Sequence, residues 1–167
     1  MQKDALFKLS GLAAILGGTL DIFRVFPILT DPIAREWLYT AIDILLVFGL
    51  IGVYLLRAEK LALLGLASFA VTMAGLSFIG GPDADTLGFS TGEQGMAVIA
   101  IGMIGFSIAW LRASEKPIAP PLCWFGSVVA AGVLGMLPAP FPNYALKASA
   151  ILFGAGFVLA GVQLIRR

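Results

Sequence analysis

The chain has 167 residues, 59% hydrophobic and 13% charged, with a formal net charge of +1, one cysteine and no histidine. Soluble domains carry about 25% charged residues, so water is not the solvent for most of this surface. The near-neutral balance excludes the basic field that nucleic-acid binding needs. Absence of histidine excludes bis-histidine haem ligation, imidazole metal sites and histidine general bases. The lone Cys123 excludes an intrachain disulfide or a cysteine metal cluster. No nucleic-acid partner, metal or cofactor is expected.

A spanning helix needs about 20 apolar residues. Apolar runs bounded by breakers predict six spans, near 6–27, 35–56, 61–80, 93–111, 119–138 and 143–165. The predicted fold is all-α, a six-helix integral membrane bundle forming a single domain over 1–167. Lys3 and Lys8 ahead of the apolar run from Leu9 to Leu20 imitate a signal peptide, but no A-x-A-like site follows. That run is expected to stay as the first span. Asp31-Pro32 reads as an N-cap with proline at the first helical position, opening the second span. Ser90-Thr91-Gly92-Glu93 fits a capping box at the start of the fourth. Pro117, Pro120 and Pro121 lead into the fifth, and Pro138, Pro140 and Pro142 keep the last turn non-helical. The one long connection, Gly81 to Gly92, holds Asp83 and Asp85. It echoes a calcium loop but fails at Leu87 and Gln94, and reads as a solvated acidic turn.

With the N-terminus inside, the cytoplasmic side collects Lys3, Lys8, Arg57, Lys60, Arg112, Lys116, Arg166 and Arg167, eight of the eleven basic residues. The positive-inside rule then places both termini in the cytoplasm. The other side takes Asp21, Asp31, Glu36, Asp43, Asp83, Asp85 and Glu93, seven of the ten acidic residues.

The even spans end alike, in Leu55-Leu56-Arg57-Ala58-Glu59-Lys60, Trp110-Leu111-Arg112-Ala113-Ser114-Glu115-Lys116 and Leu164-Ile165-Arg166-Arg167. Two readings fit. Either three helical hairpins (1–60, 61–116 and 117–167) repeat around an axis along the membrane normal with pseudo-threefold symmetry, or the positive-inside rule alone writes such ends. Small-xxx-small pairs such as Ala14/Gly18, Gly105/Ala109, Ala131/Gly135 and Ala150/Gly154 permit close helix approach. They serve intrachain packing or, where they face lipid, a homo-oligomer or larger membrane complex. Trp37, Tyr39, Trp110, Trp124 and Tyr144 fall near span ends, where aromatic rings favour the membrane interface.

Charges inside the spans are the candidate site. At 1.5 Å per residue, Asp21 lies about 6 Å and Arg24 about 10 Å outward of the middle of the first span. On the same count, Asp43 lies about 5 Å outward in the second span and Lys147 about 10 Å outward in the sixth. Asp21 and Arg24 share a helix face, and Asp43 shares its face with Glu36 and Tyr39. Charges at such depth are expected to point inward and pair. Two readings stand for Asp21, Arg24, Asp43, Lys147, Tyr39 and Glu36: an outward-opening polar binding pocket, or a structural ion cluster joining three helices.

The runs Gly11-Leu-Ala-Ala-Ile-Leu-Gly-Gly18 and Gly49-Leu-Ile-Gly-Val-Tyr-Leu-Leu-Arg-Ala-Glu-Lys-Leu-Ala-Leu-Leu-Gly65 resemble those of small bacterial polytopic inner-membrane proteins of unassigned function. The resemblance covers about the first third of the chain. It implies a bacterial inner membrane and no particular activity. Three classes of function fit the sequence. The first is a non-enzymatic membrane module, an accessory subunit or small-ligand-binding protein whose partners are lipids and a small solute. The second is a small-solute, ion or proton transporter or channel using Asp21 and Asp43. The third is an intramembrane enzyme acting on lipid or quinone, disfavoured by the missing histidine.

Overall fold

The computed structural model describes residues 2–79 and 90–166, with side chains from residue 4. The acidic turn with Asp83 and Asp85 lies outside the described residues. Helices α1 (Gln2–Phe23), α2 (Pro32–Ile79), α3 (Thr91–Arg112), α4 (Ala119–Val129) and α5 (Phe141–Ile165) follow in order, and a π-helical turn, Ala130–Leu134, extends α4. Among the described residues there is no strand. Helices α1, α2, α3 and α5 are long and apolar enough to cross a membrane, whereas Ala119–Leu134 is a shorter apolar helix. The expected start signals operate. The Asp31 carboxylate accepts the Ala34 N–H at 2.9 Å, and Ser90 and Glu93 form the reciprocal capping box.

Helix α2 is where the structure departs most from a simple reading of the chain. Its 48 residues would reach about 72 Å if straight. Instead Ala62 takes φ 51° and ψ −158°, and the helix folds back on itself. Tyr54 and Phe69 then stack with centroids 4.4 Å apart, although 15 residues of straight helix would separate them by about 22 Å. The two arms, 32–61 and 63–79, occupy the expected second and third spans. The expected break at Arg57–Lys60 is helical, and the reversal comes after it.

Small residues set the packing. The first arm runs antiparallel to α1, with Gly49 against Ala14 and Gly52 against Ser10. The second arm runs antiparallel to α3, with Gly75 against Gly95 and Gly102 against Thr72. Trp110 of α3 meets Trp124 of α4 edge-on at 5.8 Å, and the Ser127 and Ser149 hydroxyls join α4 to α5 at 3.0 Å. Helix α5 then returns to α1, where Gly11 faces Gly161 and Gly18 faces Gly154. The elements therefore close into a ring. The two arms of α2 and the α3–α4 pair meet through aromatic rings, whereas α1 meets the first arm and α5, and the second arm meets α3, through glycine, alanine or serine. This is the close contact that apolar solvent requires, since lipid supplies no hydrophobic drive between helices. The Ala131/Gly135 region is different: a Cβ at Gly132 or Gly135 would meet nothing within 4 Å.

The core runs along the inside of this ring from Ile42 and Leu46 to Leu164. Met103, Phe106, Trp110, Trp124 and Phe157 are its large fully buried side chains on α3, α4 and α5. Trp110 and Trp124 thus leave the interface expected of them and become core. Trp37 and Tyr144 do face outward, 72% and 61% exposed.

Candidate functional site

Antiparallel packing brings the C-terminal end of α1 beside the start of α2. Asp21, one turn from the end of α1, is buried, and its Oδ1 accepts the Arg24 Nε at 2.6 Å. Arg24 is 40% exposed at its side chain and places its guanidinium 5.5 Å from the centre of the Tyr39 ring. The i, i+3 spacing on one helix makes the ion pair, and the α1–α2 crossing supplies the ring. Asp43, one turn deeper on α2 than Tyr39, is half-buried and within electrostatic reach of both Asp21 and Arg24.

The remaining two predicted residues stand apart. Glu36 is exposed, its carboxylate makes no ion pair among the described residues, and its backbone carbonyl accepts the Thr40 hydroxyl at 3.0 Å. Lys147 is exposed on α5 and makes no ion pair among the described residues. The structure therefore assembles Asp21, Arg24, Tyr39 and Asp43, with Arg24 as the shared cation. Among the described residues no group of three acidic or cysteine side chains could hold a metal ion.

Two voids flank this cluster. A cavity of about 360 Å3 sits in the corner between the end of α1, the segment 24–29 and the start of α2. Arg24, Arg35 and Tyr39 supply its polar wall, and Phe23, Phe26 and Leu38 its apolar one. A second void of about 440 Å3 is a groove between the two arms of α2, lined by Asp43, Thr40 and Ser77 among apolar side chains. Neither void is lined by both aspartates. The first presents cations and the second an anion, so the two can select opposite ligands.

A buried arginine that was not singled out by the sequence lies at the other end of the ring. Arg57 is 2% exposed. Its guanidinium lies 3.6 Å from the Trp110 ring centre and donates to the Gln163 side-chain oxygen. Gln163 in turn donates to the Lys116 carbonyl at 2.8 Å. Trp110 donates to the Glu115 carbonyl at 3.0 Å, and the Glu115 carboxylate pairs with Lys60 at 2.7 Å. Arg57, Lys60, Trp110, Glu115 and Lys116 all belong to the similar ends of the even spans. They meet one another here, tying α2, α3 and α5 together.

No protein-family model, curated protein or solved structure matches the chain. Its function therefore has to be argued from the site itself.

Proposed function

We propose that this chain is a non-enzymatic, six-pass inner-membrane protein of bacterial type, with both termini cytoplasmic, that binds a small anionic amphiphile at the α1–α2 corner. The fold-back of α2 into two arms and the short helix α4 with its π-helical extension supply the two passes beyond the four long apolar elements. The basic flanks at the Arg57 end support a cytoplasmic orientation for that end. The corner then opens on the outer leaflet, beside the exposed Trp37.

The observation that carries the binding reading is the 360 Å3 corner cavity walled by Arg24 and Arg35. A guanidinium is charged at any accessible pH, offers several donors and no acceptor, and matches carboxylate or phosphate oxygens in a fork. Asp21 fixes Arg24 from behind, which orients the cation before a ligand arrives. Leu38, Phe23 and Phe26 offer an alkyl chain the apolar wall it needs. These groups bind and orient, and none of them is a nucleophile paired with a base.

Native mass spectrometry of the detergent-purified chain with decyl phosphate, decanoate or decanol tests this. The two anions should bind and decanol should not, and Arg35→Ala should lower anion occupancy at least fivefold, with partial recovery in Arg35→Lys. Arg35 is the chosen position because Arg24 also holds Asp21. Equal occupancy by all three probes, or no effect of Arg35→Ala, would overturn the reading.

A further inference from the structure

The groove between the arms of α2 is made of hydrogen-bond acceptors. The Thr40 hydroxyl spends its proton on the Glu36 carbonyl at 3.0 Å, and the Ser77 hydroxyl spends its own on the Met73 carbonyl at 3.0 Å. Each therefore turns lone pairs, not a proton, to the space it borders. The same groove is lined by the Asp43 carboxylate, which accepts no hydrogen bond and forms no close ion pair among the described residues. Arg24 is within electrostatic reach of Asp43, but its close ion pair is with Asp21 and its guanidinium lies by the Tyr39 ring. The rest of the wall is apolar, with Phe48, Ile51 and Met73 prominent.

An ionisable side chain at membrane depth is costly unless something compensates it. Arg24 compensates Asp43 from a distance without bonding to it, and every polar group in the groove is open to a donor. Three acceptors lining one apolar, laterally open groove of about 440 Å3 fit a cation with N–H groups and an apolar body. A trimethylated cation has the charge but no donor, and an alcohol has the donor but no charge.

We propose that this groove binds an amphipathic primary ammonium, with the nitrogen held by Asp43, Thr40 and Ser77 and the alkyl chain along the α2 arms. Its source is either an aminolipid headgroup from the bilayer or a free alkylamine. The site is separate from the corner cavity, takes ligands of opposite charge, and stands or falls independently of it.

The purified chain in phosphatidylcholine nanodiscs would be titrated with decylamine, decyltrimethylammonium and decanol by isothermal calorimetry. Decylamine should bind at least tenfold more tightly than either comparator. Asp43→Asn keeps the shape of the side chain, loses no partner among the described residues, and should fold with unchanged yield while abolishing that preference. Thr40→Val should weaken decylamine severalfold, and it provides the test should Asp43→Asn fail to fold. Nanodiscs containing phosphatidylethanolamine then separate the two sources. Competition with decylamine identifies the headgroup as occupant, and undiminished decylamine binding identifies the free amine. Equal binding of decylamine and decyltrimethylammonium, or an Asp43→Asn protein that keeps the preference, overturns the proposal.

Discussion

The guanidinium of Arg57 lies over the indole of Trp110, 3.6 Å from the ring centre, with both side chains buried. A desolvated cation–π contact of this kind contributes about 2 kcal/mol. Removing Arg57 also strands the Gln163 side-chain oxygen in a part-buried position, which costs about 1–3 kcal/mol more. Arg57→Ala should therefore destabilise the detergent-solubilised protein by several kcal/mol. Arg57→Lys should recover little, because an ammonium cannot stack on the ring and fork toward Gln163 together. Thermal unfolding followed by size-exclusion chromatography reads both variants.

Ala62 supports a prediction of opposite sign. Its φ of 51° and ψ of −158° lie in a region that favours glycine, and a residue held there stores about 1–3 kcal/mol of strain. Ala62→Gly should relieve that strain and raise the melting temperature. Ala62→Val should lower it, since a β-branched side chain tolerates positive φ least. If Ala62→Gly melts lower than the parent, the reversal in α2 is not strained at this residue.

These two residues also mark what the sequence could tell. Helix starts were legible because Asp31-Pro32 and Ser90-Glu93 satisfy backbone donors locally, within three residues of the cap. The close-packed helix pairs were legible because lipid leaves small residues as the means of tight approach. The Asp21–Arg24 pair was legible because i, i+3 spacing on one helix makes it. Ala62 was not legible, since it has neither glycine nor proline beside it to announce a turn. Arg57 was hidden for another reason. Positive-inside flanks place arginine at span ends whatever its packing, and the stacking partner Trp110 lies far along the chain. Lys147 shows the converse: depth on a helix wheel does not fix whether a side chain turns inward.

Glycine positions around the ring should separate sharply. A Cβ on Gly18 would fall on the Gly154 carbonyl oxygen, which is backbone and cannot swing aside. Gly18→Ala should thus force α1 and α5 apart and cost about 1–3 kcal/mol as an overpacking change. Gly132→Ala, with nothing within 4 Å of the new methyl group, should be neutral or stabilising by up to about 1 kcal/mol. Comparing the two melting temperatures separates intrachain packing from a general intolerance of added volume.

The Asp21–Arg24 pair makes the sharpest energetic test. Asp21 is buried and Arg24 is partly exposed, so the members are not equivalent. Arg24→Ala leaves a buried carboxylate without its cation, which is the expensive way to break such a pair. Asp21→Asn removes the buried charge and leaves Arg24 free to reach water along its aliphatic stem. The single Arg24→Ala should therefore be the less stable of the two. Combining them should restore stability relative to Arg24→Ala alone, with a coupling of about 1–3 kcal/mol. Additive losses in a double-mutant cycle would mean that the pair does not act as a unit. Arg24 would then be held in the corner cavity by Tyr39 and the surrounding walls, not by the charge behind it.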